Sequence, residues 1–347
     1  MLAAAIHIAG GPPCPGLETL SPDVLLRTLS RHQLVGHAQR WMVLSSAQRE
    51  ALKPSWRAGT AQALAQATER DRLVKRFRAA SVPVLPYKGI VYQEFLTGQP
   101  QGRDSQDLDL AVRPLDFRRA IRILLEDGYT PAFGLTPDHL AREVLPSELL
   151  FLHEGGMHLD LHQQFFAPHY ALDAAEAVLS EVLDADRPAL TPVQTVWLAA
   201  LAAGKDAWSH VRHLADLADG LERLSVPERE ALAALADRTH TRRLLDTGFG
   251  LCAQHLGRAV DWVAKYAVPP GSDAALRAAD DTEPGGRLPD RLKIHLASRR
   301  PIDRVRYALR VPFKVAAVDI GPHAGVLPRP VARVVRTLRE HGGDLFG

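Results

Sequence analysis

Residues 81–112 read SVPVLPYKGIVYQEFLTGQPQGRDSQDLDLAV, and the order of patterns in this stretch decides the fold. Val82, Val84 and Leu85 form a short apolar run ending at Lys88-Gly89, which predicts a buried strand feeding a turn. IVYQEFLTG then reads as a short helix closed by Gly98. At 107–112 the sequence DLDLAV alternates acid and apolar, the period of a strand. A strand, a helix and a second strand in so short a stretch predict a mixed α/β unit.

Outward from this stretch, Pro114 opens a strong helix. Phe117, Ala120, Ile121, Leu124 and Leu125 share one face, and Gly128 ends it. A hairpin follows as ELLFLH–EGG–MHLDLH, with Glu154-Gly155-Gly156 at the turn. Residues 82–165 therefore form a compact unit of four or five strands. Upstream, residues 18–80 read as helical. One helix follows Ser21-Pro22, a cap and first-turn signal, and a second runs from about Gly59 through Arg78. Downstream of Phe166 the strand signals fade. Thr191-Pro192 opens an apolar helix to about Ala203, and another covers about Ala207–Leu224. Ser225 through Glu228 is a capping-box pattern for the next one. Pro-Pro, Gly-Ser and Glu-Pro-Gly-Gly break the stretch 257–290 into loops. The expected class is α/β in the α+β sense. A small mixed-sheet core at 81–166 lies between an N-terminal helical segment at 1–80 and a C-terminal helical domain at 167–347.

The chain has 347 residues, which at about 150 residues per domain suggests roughly two domains. Apolar residues are 46% and charged residues 24%, an ordinary globular balance that excludes wholesale disorder. Net charge is +2, against a dedicated nucleic-acid coat protein. The charge is unevenly spread. Residues 299–340 hold ten Lys/Arg and three Asp/Glu, a local +7 that leaves the rest of the chain at −5. Two cysteines, Cys14 and Cys252, make neither a disulfide framework nor a Cys-rich zinc site. No basic start precedes the mildly apolar N-terminus, and no run reaches the about 18 apolar residues of a membrane span. The expectation is a cytoplasmic protein.

The chemistry points to Asp107-Leu108-Asp109 and Asp160. On a strand, positions i and i+2 share a face about 6.6 Å apart, close enough for two carboxylates to converge on metal ions. Asp160 sits in a second alternating strand, His158-Leu159-Asp160-Leu161-His162. Beside the first strand it would supply a third hard oxygen ligand, a set suited to Mg²⁺ and substrate phosphates. The plain alternative is a pair of acids on the exposed face of an ordinary strand. For His158 and His162 the alternatives are hydrogen bonding on a half-exposed strand or a His-x-Asp-x-His zinc site.

PYKGIVYQEFL, RDSQDLDLAV and MHLDLHQQF together resemble a bacterial nucleotidyltransferase family with the pattern KG…R…D-x-D-L…D-L-H, a branch of the polymerase-beta-like superfamily. The resemblance covers about 84–165 and, more weakly, GKDAWSHVRHLADLADGL near 195–225. It implies transfer of a nucleoside monophosphate from an NTP such as ATP, with release of pyrophosphate. Asp107, Asp109 and Asp160 would be the catalytic ligands of two Mg²⁺ ions, with Mn²⁺ as the alternative ion. Lys88, Gly89, Arg103, His162 and Lys205 would bind the nucleotide. Where the wider superfamily has a Gly-Ser pair after the first strand, this chain has Lys88-Gly89. Gly89 still allows close backbone approach to an anion at the helix start, and Lys88 adds a charge. Arg103 either binds the leaving pyrophosphate or pairs with Asp104 or Asp107 to hold its loop. Lys205, Trp208, Arg212 and Asp216 recur at roughly helical spacing. They read either as a face with Lys205 on the triphosphate or as a solvated face with an Arg212–Asp216 pair.

The resemblance implies a small-molecule or peptide acceptor, in the manner of natural-product tailoring. A toxin acting on tRNA or protein is the second enzymatic reading, and an inert nucleotide- or partner-binding module the third. Other motifs fail on spacing. His153 and His158 are one place too far apart for a zinc-protease helix, and Gly204-Lys205-Asp206 lacks the rest of a P-loop.

Overall fold

The computed structural model describes residues 1–39, 44–141, 145–263, 268, 271–273, 276–277 and 301–310. Helices α1 (Leu2–Ile8), α2 (Pro22–Arg31), α3 (Val35–Ala38) and α4 (Ser46–Ala79) precede strand β1 (Val84–Tyr87). Helix α5 (Gly89–Thr97), strand β2 (Leu108–Val112), helix α6 (Phe117–Glu126) and strand β3 (Thr130–Pro131) follow. Helix α7 (Pro137–Leu140) leads to β4 (Glu148–Leu152) and β5 (His158–His162). Helices α8 (Asp173–Leu183), α9 (Pro192–Lys205), α10 (Val211–Arg223), α11 (Val226–Arg238) and α12 (Arg242–Leu251) come next, and a further helix covers Pro301–Arg310. The architecture is a small mixed sheet with helices, as the α/β reading expected. The loop breaks expected at Pro269-Pro270 and Glu283-Pro284-Gly285-Gly286 lie outside the described residues, as does most of the basic run 299–340.

Two compact units divide the chain. The helical unit draws on Met1–Ala65, Ile90–Ser105 and Thr191–Arg300, and the sheet unit on Gln66–Gly89, Gln106–Leu190 and Pro301–Gly347. In the sheet unit the strand order is β1-β2-β5-β4-β3. β2 and β5 run parallel, and every other neighbouring pair is antiparallel. Alternation sorts the side chains. Leu108, Leu110, Val112, Leu149, Phe151, Leu159 and Leu161 occupy one face and are all buried. At about 1.5–3 kcal/mol for each such side chain, this face fixes the register, since a slip of one residue would turn it to water. Tyr87, Asp109, Asp160 and His162 fall on the opposite face by the same register.

Helix α6 begins one 3₁₀ turn after Pro114 and buries Phe117, Ala120, Ile121, Ile123 and Leu124, with Leu125 only half-buried. The C-terminal part of α4 is fastened to the end of α6. Arg72 and Arg76 pair with Asp127 at 2.7 and 3.2 Å, and the Tyr129 hydroxyl donates to Glu69 at 2.6 Å. Helix α4 departs from expectation by starting at Ser46 rather than near Gly59. Pro54 lies inside it and lacks the N–H that would reach the Glu50 carbonyl, which hides the continuity from a pattern reading. Buried Leu52 and Ala63 carry the helix across the gap.

In the helical unit, α9 packs against α10, α11 and α12. Thr191 caps α9 in a capping box with Gln194, and Ser225 caps α11 in one with Glu228. Helix α10 starts at Val211, four residues later than expected, because Ala207 and Trp208 take left-handed backbone conformations with φ of +53° and +57°. The fully buried Trp208 ring compensates. It lies where Gly248 has no side chain, and a Cβ there would come within 2.4 Å of it. The helical face drawn through Lys205, Trp208, Arg212 and Asp216 is thus split by a turn. Among the described residues no helix is long and apolar enough to cross a membrane.

Candidate active site

The parallel β2–β5 ladder sets Asp109 directly beside Asp160, and the antiparallel β1–β2 ladder sets Tyr87 on the other side of Asp109. One register step further along β5, His162 turns its Nε2 to 3.1 Å from Asp109 Oδ1. The Lys88 ammonium donates to the same oxygen at 3.0 Å and lies 4.6 Å over the Tyr87 ring centre. Tyr87 in turn meets His162 and Phe165 edge to face, at 5.2 and 5.1 Å. Lys88 holds a left-handed φ of +59°, a conformation that costs a non-glycine residue of order 1 kcal/mol and concentrates at functional sites.

The electrostatics of the two acids are opposite. Burial alone would raise the Asp109 carboxyl, but the Lys88 charge and the His162 hydrogen bond outweigh it and hold that group well below the usual range. For Asp160 the Lys88 charge is outweighed. Burial and repulsion from Asp109, Asp107 and Glu148 push it up to about 7. Burial depresses the His162 imidazole and the Lys88 charge adds to it, which favours the neutral ring. Burial would lower Lys88 too, yet the attraction of Asp109 keeps it firmly charged.

This arrangement fits a divalent cation. One ligand atom each from Asp109, Asp160 and His162 lie within 4.8 Å of one another, and Asp109 already draws the Lys88 ammonium onto itself. Asp107 stands just ahead of β2 rather than on it, half-buried, and its charge is felt by Asp160. Lys88, Asp109, Asp160 and His162 are brought together, and Gly89 opens α5 immediately after Lys88. His158 is exposed on β5.

Arg103 and Lys205 belong to the helical unit. Arg103 is committed to Asp216, by Nε at 3.0 Å and Nη2 at 2.9 Å. That partner is neither Asp104 nor Asp107, the two weighed from sequence. Asp104 instead accepts from the Val35 and Gly36 amides at the start of α3, at 2.8 and 2.9 Å. A side chain at Gly36 would strike the backbone of Gly102 and Arg103 at 3.0 Å, so only glycine lets this loop approach. Arg212 lies 3.9 Å from Asp216 and donates to the Asp104 carbonyl at 2.8 Å. Lys205 is the last residue of α9 and half-buried. Sequence reasoning passed over Tyr87 and Glu148, and weighed Asp216 only as a partner of Arg212. Glu148 alone had a signal, since the hairpin register that pairs β4 with β5 sets it opposite His162.

Paired carboxylates on adjacent strands, with a cation drawn to them, are what metal-assisted phosphoryl transfer requires. A family model described as uncharacterised nucleotidyltransferase matches residues 19–257, and the chain belongs to that family. It is therefore a transferase that acts on a nucleotide. No curated protein matches the chain.

Proposed function

We propose that the protein transfers a nucleoside monophosphate from an NTP to a small-molecule or peptide acceptor, with Mg²⁺ or a related divalent ion. The observation that carries this reading is the in-register pair Asp109–Asp160, one acid held ionised and the other near 7. Asp109 and Asp160, with Asp107 beside them, would hold the cation. Bound there, a divalent cation supplies neutralisation and alignment of the reacting phosphate. Asp109 stays ionised throughout and anchors the site. Asp160 holds a proton on its carboxyl in the stripped protein near neutrality. With a cation bound, Asp160 would be ionised and could accept the proton of the acceptor hydroxyl. Lys88 would exchange Asp109 for a phosphate oxygen, and Gly89 at the start of α5 would let phosphate approach the backbone.

The test is an NTP labelled in turn at the α and the γ phosphate, offered with Mg²⁺ and acceptor mixtures. Label passing to an acceptor from the α position, with pyrophosphate released, is the expected result. Transfer of γ label, or no Mg²⁺-dependent binding of any of the four common NTPs, overturns the proposal.

A further inference from the structure

Beyond the two carboxylates, the candidate metal position is completed by an imidazole. The inference drawn from this rests on the reading above, that Asp109 and Asp160 hold a cation. His162 is 1% exposed, and its Nε2 faces the carboxylates. On the far side of the ring, Nδ1 is buried and makes no hydrogen bond, yet it stands 3.4 Å from Glu148 Oε2. The β4–β5 ladder places Glu148 opposite His162, with its own side chain 57% exposed. Tyr87, packed edge to face against the ring at 5.2 Å, limits its rotation.

A carboxylate behind the remote nitrogen is the arrangement that orients metal-binding histidines. The remote nitrogen keeps its proton toward the carboxylate, and the near nitrogen offers a lone pair to the ion. On the near side, Lys88 Nζ and His162 Nε2 converge on one oxygen of Asp109. Without a cation, Nε2 carries the proton it donates to ionised Asp109; a cation that takes the Nε2 lone pair would shift that proton to Nδ1, on the side of Glu148.

We propose that His162 is a metal ligand through Nε2, oriented by Glu148, and that this nitrogen makes the site favour first-row transition ions over Mg²⁺. Mg²⁺ holds to oxygen and keeps its waters, whereas affinity for mixed nitrogen and oxygen ligands rises from Mn²⁺ to Co²⁺. His158, exposed on the same strand, takes no part.

The experiment is calorimetric titration of the stripped full-length protein with Mg²⁺, Mn²⁺ and Co²⁺, alongside pulsed electron paramagnetic resonance of the Mn²⁺ form with ¹⁵N-labelled histidine. Wild type should bind in the order Mg²⁺, Mn²⁺, Co²⁺ from weakest to tightest, and the Mn²⁺ spectrum should show histidine nitrogen coupling. His162→Gln should abolish that coupling and weaken Co²⁺ at least about tenfold while leaving Mg²⁺ within about twofold. Glu148→Gln should weaken Co²⁺ by about tenfold, the usual effect of removing such a partner. If binding depends on Asp109 but shows no nitrogen coupling, and the ion order survives in His162→Gln, the role given to His162 falls and the carboxylate site stands. If no ion binds wild type, or Asp109→Asn binds as well as wild type, the carboxylate site falls too.

Discussion

Asp216 in the helical unit and Asp160 in the sheet unit are both buried acids set among charged neighbours, and their surroundings treat them in opposite ways. Burial works against ionised Asp216, but Arg103, Arg212 and His37 outweigh it and hold its carboxyl below the ordinary value. Arg103 and Arg212 are set there against Asp216 and Asp104. Arg212 is itself pushed down to about 10, by burial and then by Arg103. Around Asp160 the acids are in surplus. Asp107, Asp109 and Glu148 surround it, Lys88 is the cation that counters them, and that cation is spent on Asp109. Charge matched within the fold closes a structural joint. Charge left unmatched at low dielectric favours a ligand, and here it falls on the acids of the sheet unit.

Four measurements break or sharpen this contrast. The largest effect belongs to the matched joint. Arg103→Ala strands Asp216 in the interior and should cost about 3–5 kcal/mol in denaturant unfolding. A loss near zero, together with lost nucleotide affinity, would return Arg103 to phosphate binding. Next, Asp160→Asn should lower nucleotidyl transfer by about 10³-fold, roughly 4 kcal/mol. Its melting temperature should hold or rise, because a repelled charge is removed. A mutant that unfolds while keeping its specific activity would make Asp160 structural.

The third measurement is stability against pH, with divalent ions stripped. The folded-state value of Asp160, about 7, lies above its unfolded one, so the fold binds that proton more tightly than the unfolded chain does. Its contribution is therefore full in acid and declines as pH climbs through 7, by on the order of 2 kcal/mol. Asp216 and Asp109 are depressed, so theirs runs the other way and is lost on acidification. Unfolding curves from pH 5 to 8 should show the decline in wild type, its absence in Asp160→Asn, and its reversal by saturating Mn²⁺. A flat wild-type curve contradicts the charge surplus. The smallest effect is Lys88→Ala, which should raise the apparent nucleotide Kd about tenfold, or 1.4 kcal/mol. Unchanged affinity would confine Lys88 to the Asp109 pair seen here.

Local signals carried the elements. Alternation at 107–112 and 158–162 located both acid-bearing strands, and Ser21, Thr191 and Ser225 marked helix starts that the structure retains. Gly98 and Gly128 close their helices in left-handed conformations. The same local logic failed where tertiary packing overrides it. Pro54 sits unbroken inside α4, and the turn at Ala207-Trp208 is held by an indole filling the space at Gly248.

For the site, the sequence by itself determined which residues are acidic and which face of its strand Asp160 occupies, because side-chain period follows from backbone geometry alone. Tertiary structure alone decided who meets whom. The parallel register of β2 and β5 puts Asp109 beside Asp160, across a separation in sequence that no spacing rule spans. Arg103 finds Asp216 113 positions away and Tyr92 donates to the Asp216 carbonyl 124 positions away, although Asp104 and Asp107 stand nearer to Arg103 in sequence. A charge pairs with whatever the fold carries into its desolvated reach, and that reach is a distance in space rather than along the chain.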